Sequence, residues 1–282
     1  MWLYKHLPIY LFIVFCLIFF TIFAGVFIIV VYMKNELIIN RLHNRFQDKS
    51  CFTRQELFDF FREFETDLKE TTFRWKIHDL KNKRIISPVS RNFFTLQYKP
   101  VFQPYISETE QKTFSKIQKQ FPTLKCCIWS TQIIHEFMLH IPAQSITILQ
   151  VEKEAIEPVY DYLKGQKINV FAQPEEKEIA RYVSKSKSAI VLESLVTKSP
   201  VQQVNSATTV TLEKMLIDLI SEPTLFVPFQ GSEMIHIINT AYNRYTIHFT
   251  TLFHYAGRRG KEVELTELLN KTDIPKTYFY DT

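Results

Sequence analysis

From Leu7 to Tyr32 the chain runs 26 residues without a charged side chain, and most of them are Phe, Ile, Leu or Val. About 20 such residues are enough to cross a bilayer as a helix. The run is too long for the core of a signal peptide, and no small-residue cleavage site follows it. Lys34, Arg41, Arg45 and Lys49 follow the run and Lys5 precedes it, a bias that leaves the rest of the chain on the cytoplasmic side. Met33 stands at the junction and offers a second start, in which case residues 1–32 are an upstream extension and the product is cytoplasmic. The expectation is therefore two-fold: residues 1–32 are a transmembrane helix tethering cytoplasmic domains to the inner membrane, or an extension without a structural role.

The 282 residues suffice for two modest domains, and 46% hydrophobic with 15% aromatic residues excludes a largely disordered chain. Five glycines cannot build a Gly-rich phosphate loop. Cys16, Cys51, Cys126 and Cys127 form no C-x-x-C pair, which fits free thiols in a reducing compartment. Net charge is +5, and it is concentrated. Between Lys69 and Arg91 lie seven basic residues (Lys69, Arg74, Lys76, Lys81, Lys83, Arg84, Arg91) against Glu70 and Asp79, so the remainder of the chain is close to neutral. A local basic patch points to a polyanion more directly than a diffuse excess does.

The same window has the pattern of a winged helix-turn-helix. Ile38, Leu42 and Phe46 are spaced for one helical face, and Thr53-x-x-Glu56 is a capping box for a second helix with Leu57, Phe58, Phe61 and Phe64 as its apolar stripe. A third helix is predicted from Thr71 or Thr72 as N-cap. At 100° per residue Phe73, Ile77 and Leu80 share one side, and Thr71, Trp75, His78 and Asn82 face away. Arg74 and Lys81 flank that outer strip on one edge, Lys76 and Lys83 on the other. Hydrogen-bonding side chains edged by cations suit a helix in the major groove, reading bases between two rows of phosphate. Ile85–Ser87 and Phe93–Leu96 around Pro88–Arg91 read as a hairpin, the wing, with Arg91 at its tip.

Beyond Pro100 and Pro104 the polar run Ser107–Lys112 reads as a connector. Strands are predicted at Cys126–Trp129, Ile146–Val151, Ile168–Phe171 and Ala189–Leu192, with helices at Thr131–His140 and at Glu154–Lys164, the latter ended by Gly165. This alternation implies an α/β arrangement with a mixed sheet. The last third is helical: Leu212, Met215, Leu216, Leu219 and Ile220 recur at helical spacing, as do Met234, Ile237, Ile238, Ala241 and Tyr242, and then Phe249, Leu252, Phe253 and Ala256.

Catalytic patterns are sparse. His135 and His140 stand five apart, about 140° around a helix, so they cannot share a metal. Glu175-x-Lys177 after a predicted strand matches part of a metal-dependent nuclease pattern, which also needs a second carboxylate to hold a divalent ion. The competing reading of Glu175–Glu178 is the solvated first turn of a helix after Pro174. Neither a catalytic set nor a metal or cofactor site is expected. Arg258, Arg259 and Lys261 form a small basic cluster between two helices, suited to an acidic partner or to a helix C-terminus.

Thr211-Leu212-Glu213-Lys214-Met215-Leu216-Ile217-Asp218-Leu219, with Gln230-Gly231 and Tyr255-Ala256-Gly257-Arg258-Arg259-Gly260-Lys261, resembles the antitoxins of type IV abortive-infection (AbiE-type) toxin–antitoxin systems, and more closely their relatives in Bacteroidetes-like bacteria. The resemblance spans about residues 50–270 and is strongest over 208–265. It implies an N-terminal winged helix binding double-stranded DNA in its own promoter, and a C-terminal domain that counters a nucleotidyltransferase toxin or protects its target. The family lacks a transmembrane segment, which favours the Met33 start, and the wing at Ser87–Asn92 lacks the family's glycine-containing turn.

The sequence thus predicts an α+β chain with residues 1–32 as a transmembrane helix or extension, a winged helix-turn-helix over 33–103, a connector over 104–124, an α/β antitoxin-like domain with a helical C-terminal part over 125–272, and a tail over 273–282. Thr71, Arg74, Trp75, Lys76, His78, Lys81, Lys83 and Arg91 are the expected DNA contacts, and Arg258, Arg259 and Lys261 the expected working surface of the second domain.

Overall fold

The computed structural model describes residues 36–183, 186 and 188–279. The chain is a mixed α+β protein whose contacts divide it into two compact units between Ile85 and Ile86. Among the described residues no helix is long and apolar enough to cross a membrane, and the apolar run at 7–32 lies outside them.

The first unit is built from three helices. Residues 36–46 are helical (α1) and bury Leu42 and Phe46. Phe46 stacks on Phe52 with ring centroids 4.2 Å apart. Helix α2 (Arg54–Arg62) starts as its sequence requires: the Glu56 N–H donates to Thr53 Oγ1 at 3.0 Å and the Thr53 N–H to Glu56 Oε2 at 2.7 Å. Its buried residues are Leu57, Phe60 and Phe61. Phe60 replaces the expected Phe58 and Phe64 because its ring meets Phe46 edge-on, 6.0 Å between centroids, so α1 rather than local periodicity sets the buried face. Helix α3 (Glu70–Asn82) begins earlier than expected, with Lys69 as N-cap and Thr71 and Thr72 inside the helix. The cause is Leu68, which is buried at the end of a turn closed by its N–H to Glu65 O at 3.1 Å and leaves no slack for a later start. Phe73 and Leu80 hold α3 to the core as predicted. The helix ends in a Schellman motif, with Ile85 N–H on Leu80 O, Arg84 N–H on Lys81 O and Arg84 in the left-handed region.

The second unit opens with an antiparallel hairpin, β2 (Ser87–Ser90) and β3 (Phe93–Thr95). Pro88 and Val89, expected in the turn, lie in β2 instead; an irregularity between Pro88 and Ser90 accommodates the proline, and the turn moves to Arg91–Asn92. The expected connector contains helix α4 (Glu108–Gln120), whose N-terminus is a capping box between Ser107 and Glu110. Phe114 and Ile117 bury its apolar side.

The centre is a four-stranded mixed sheet in the order β4-β5-β7-β6. Strands β4 (Cys126–Ser130) and β5 (Thr147–Val151) are antiparallel, while β5 and β6 (Val170–Ala172) each run parallel to β7 (Ile190–Ser194). Alternation along these strands supplies two buried faces. Cys126, Ile128, Leu149, Val151, Ile190 and Leu192 pack with residues of α4 and of α5 (Ile156–Gly165). Cys127, Trp129, Ile148, Gln150 and Val191 take the opposite face. Between β4 and β5 the expected helix at Thr131–His140 is a 3₁₀ segment over Thr131–Phe137. Gly165 is the last residue of α5, and the left-handed residue that closes the helix is Lys167, with Ile168 N–H reaching back to Leu163 O at 3.1 Å. The short helix α6 (Glu176–Glu178) follows β6, and a second hairpin, β8 (Val201–Val204) with β9 (Ala207–Val210), leads into the C-terminal helices.

Helices α7 (Leu212–Ser221), α8 (Ser232–Arg244), α9 (Phe249–Arg258) and α10 (Glu262–Leu269) complete the unit. Most of the residues expected on the inner faces of α7, α8 and α9 are buried, Met215, Leu216, Leu219, Met234, Ile237, Ile238, Ala241, Leu252 and Ala256 among them, whereas Tyr242 and Phe253 are only partly buried and Tyr255 is buried instead. α7 goes further, because every residue from Leu212 to Ile220 is buried, Glu213, Lys214 and Asp218 included.

Candidate functional site

On α3 the outward strip is as the sequence describes. Phe73 and Leu80 occupy the inner side, Ile77 is half-buried, and Thr71, Arg74, Trp75, His78, Lys81, Asn82 and Lys83 are exposed. Trp75 is 73% exposed. Its ring meets His78 edge-on, with centroids 5.9 Å apart, and the His78 ring nitrogen lies 2.9 Å from Asn82 Nδ2. Trp75, His78 and Asn82 thus form one continuous row.

The cations along this row are arranged in pairs. Arg74 Nε lies 3.3 Å from Glu70 Oε1, and Glu70 also takes Arg54, whose guanidinium holds that carboxyl below the usual carboxylate range. Lys83 lies 2.6 Å from Asp79, and Lys76 is 3.0 Å from Glu65 and over the Phe61 ring. Arg74–Glu70 and Lys83–Asp79 are exposed i,i+4 pairs, which contribute little to stability. Lys81 is exposed and has no ion-pair partner among the described residues. Arg91, in the second unit, is exposed at the hairpin turn, where its backbone N–H donates to Thr250 Oγ1 at 3.0 Å.

The second domain's basic cluster is tied down. Arg258 donates from Nε to Thr197 O at 2.7 Å and from its terminal nitrogen to Thr197 Oγ1 at 2.9 Å. Arg259 pairs with Glu222 at 2.6 Å, and Lys261 with Glu264 at 2.5 Å. Gly260 sits at φ +64, closing α9 with Lys261 N–H on Ala256 O at 2.9 Å. Arg259 and Lys261 therefore work within the fold as well as at its surface.

A polar centre that sequence reasoning passed over lies beneath. Lys214 and Asp218, at 0% and 1% exposure, are linked across one helical turn at 2.7 Å. Tyr255 donates to Asp218 Oδ1 at 2.7 Å and stands 3.0 Å from Lys214 Nζ, and Gln150 of β5 donates to Asp218 Oδ2 at 3.1 Å. Burial pulls the Lys214 ammonium toward neutrality, but Asp218 and Tyr255 outweigh it and hold the group above the usual lysine value. Glu213 accepts from the His248 N–H at 2.9 Å, capping nothing on α7 itself but fixing the start of α9. Glu193 stands opposite Gln150 in the β5–β7 register, and its carboxyl is pushed up to about 7 by burial and by Glu222, against the pull of Arg259. Lys214, Asp218 and Tyr255 belong to the two segments that carry the resemblance described above. The sequence signal was there, a lysine and an aspartate four apart on the side of α7 that spacing alone assigns to solvent.

The remaining candidates are placed simply. Glu175 is the N-cap of a short helix, its backbone N–H on Glu178 Oε2 at 3.1 Å, and Glu175, Lys177 and Glu178 are all exposed. That is the solvated helix start anticipated as the competing reading of the nuclease pattern. Among the described residues no three His, Cys, Asp or Glu side chains converge as metal ligands. His140 lies 3.4 Å from Glu233, whereas His135 lies 3.5 Å from Ser145, so the two histidines serve separate contacts.

No curated protein matches the chain. A family model described as a family of unknown function, DUF6577, matches residues 72–275, from the first turn of α3 to the segment after α10. The match covers well over half of the 282 residues, and the chain belongs to the DUF6577 family.

Proposed function

We propose that the chain is a non-enzymatic, DNA-binding transcriptional regulator that acts in the cytoplasm on its own promoter, as the antitoxin and autorepressor of a type IV abortive-infection system directed against a nucleotidyltransferase toxin. The observation that carries this reading is the outer strip of α3, where an exposed tryptophan, a histidine and an asparagine lie in a row edged by cations. In the winged-helix reading α3 enters the major groove: Thr71, Trp75 and His78 meet base edges, Arg74 and Lys81 lie along one wall, and Lys76 and Lys83 grip phosphate on the other. The antitoxin role is supported by the resemblance over Thr211–Leu219 and Tyr255–Lys261, with Arg258, Arg259 and Lys261 presented to the toxin or its target.

The test is a gel shift of the full-length chain on its upstream DNA, titrated with salt and non-specific competitor. Affinity is expected to fall with log[salt] at a slope of roughly −0.9 per phosphate contact. Replacing Arg74 and Lys81 by Ala should weaken binding and flatten that slope by roughly two contacts' worth. Absence of a specific shift at low salt, or an unchanged slope in the double variant, overturns the assignment of α3 as the reading helix.

A further inference from the structure

At the carboxyl ends of the parallel strands β5 and β7 the second unit has an open cavity of about 580 Å³. The crevice outside such strand ends is where open α/β sheets hold their ligands, and the volume suits a small organic molecule. Leu124, Leu195, Val196 and Val201 make an apolar wall, while Lys125, Glu152, Thr197, Lys198, Ser199 and Thr208 are polar. A second crevice of about 380 Å³ shares Lys198 and adds His254, Tyr255 and Arg258 without any acid. Together the two cavities carry an excess of cations, with Glu152 their one carboxylate.

The hinge between the cavities is a built turn. Ser199 N–H closes on Val196 O at 3.1 Å, with the Ser199 hydroxyl on the same oxygen at 2.5 Å. Arg258 holds the turn from α9 through both of its bonds to Thr197. Lys198 at its apex has φ +58, a left-handed backbone uncommon for a lysine. The turn sets the one side chain common to both cavities.

We propose that this crevice binds a small organic phosphate, a phosphate monoester on a hydroxylated body, with Lys198 and Lys125 on the phosphate, the body against Leu195 and Val201, and Glu152 accepting from its hydroxyls. Phosphate is favoured over a neutral ligand by the cation excess, and a body larger than the ion by the volume and the apolar wall. Arg258 is a positioning residue that holds the Lys198 turn. The Cys126 thiol on the wall is pushed up to about 11 by burial. This inference does not depend on DNA binding by α3.

Two sources share the chemistry, nucleotides and sugar phosphates, and isothermal titration calorimetry on the full-length chain separates them with AMP and glucose 6-phosphate as probes and inorganic phosphate as control. One monoester is expected to bind saturably, about tenfold or more tighter than inorganic phosphate. Lys198→Asn keeps a residue that tolerates the left-handed backbone but removes the charge, and should weaken that binding by about tenfold. Lys125→Ala, an exposed change, should weaken it as well. Binding of AMP identifies a nucleotide site and binding of glucose 6-phosphate a sugar-phosphate site. If neither monoester binds in the millimolar range, if inorganic phosphate binds equally well, or if Lys198→Asn binds like the parent chain, the proposal is overturned.

Discussion

At the scale of single residues the sharpest consequence concerns Lys214 and Asp218. Two buried opposite charges that share Tyr255, with Gln150 donating to Asp218, are tolerated because each satisfies the other, so removing one leaves an orphan in a low-dielectric interior. Asp218→Ala is expected to cost about 3–5 kcal/mol, measured by urea unfolding, whereas Lys214→Met with Asp218→Leu should restore most of the loss. A loss no larger than that of a surface pair, below about 1 kcal/mol, would show that the pair is hydrated. Glu193 provides a pH test with a definite sign. Its folded value of about 7 lies above the 4.5 of an ordinary glutamate, so between those values the folded chain keeps a proton that the unfolded chain has lost. Stability therefore falls as pH rises through that window, and Glu193→Gln should flatten the decline when unfolding is followed from pH 4.5 to 7. The thiols complete the residue scale: burial pushes Cys126 and Cys127 up to about 11 and about 12. Neither should react with a thiol reagent until the chain is unfolded, while Cys51, only partly buried, reacts first.

At the scale of elements, the helix faces of α1, α3, α7, α8 and α9 are readable directly from spacing, because apolar residues at i, i+3 and i+4 have one way to leave water. α4 is less obvious only because its apolar content is thin. Its start is nevertheless spelled out by Ser107-x-x-Glu110, the same signal as Thr53-x-x-Glu56, and both boxes form. Ser107→Ala should cost about 1 kcal/mol in urea unfolding, and a change within error would mean that packing of Phe114 and Ile117 alone holds the helix. The hairpin β8–β9 escapes prediction for a different reason: β8 alternates exposed and half-buried residues, so its sequence lacks the apolar rhythm that announces a strand. The buried polar centre escapes because spacing places Lys214 and Asp218 on the polar side of an amphipathic helix, and only the arrival of Gln150 and Tyr255 from distant segments turns that side into an interior. Gly231, before α8, has φ +66 and ψ −131, a region open essentially to glycine. Gly231→Ala should destabilise by about 1–3 kcal/mol through backbone strain alone, since nothing within 4 Å would meet the added methyl.

At the scale of the whole molecule, the concentration of charge and the layout of the sheet matter most. The basic window runs from Lys69 to Arg91 and crosses the division between the two units after Ile85, so the cations of α3 belong to one unit and Arg91 to the other. The order β4-β5-β7-β6 has a consequence for how the second unit comes into being on the ribosome. Strands β4 and β5 can pair once Val151 has emerged, but β6 is made next, and among the described residues its bonded partner is β7, which comes later. Of the four strands of this sheet, the last to be synthesised is thus the one that inserts between two others. A nascent chain halted before Ile190 would carry a lone hairpin and an unpaired strand with open backbone edges, the kind of intermediate that chaperones hold and proteases cut. The four-stranded sheet can close only when β7 arrives.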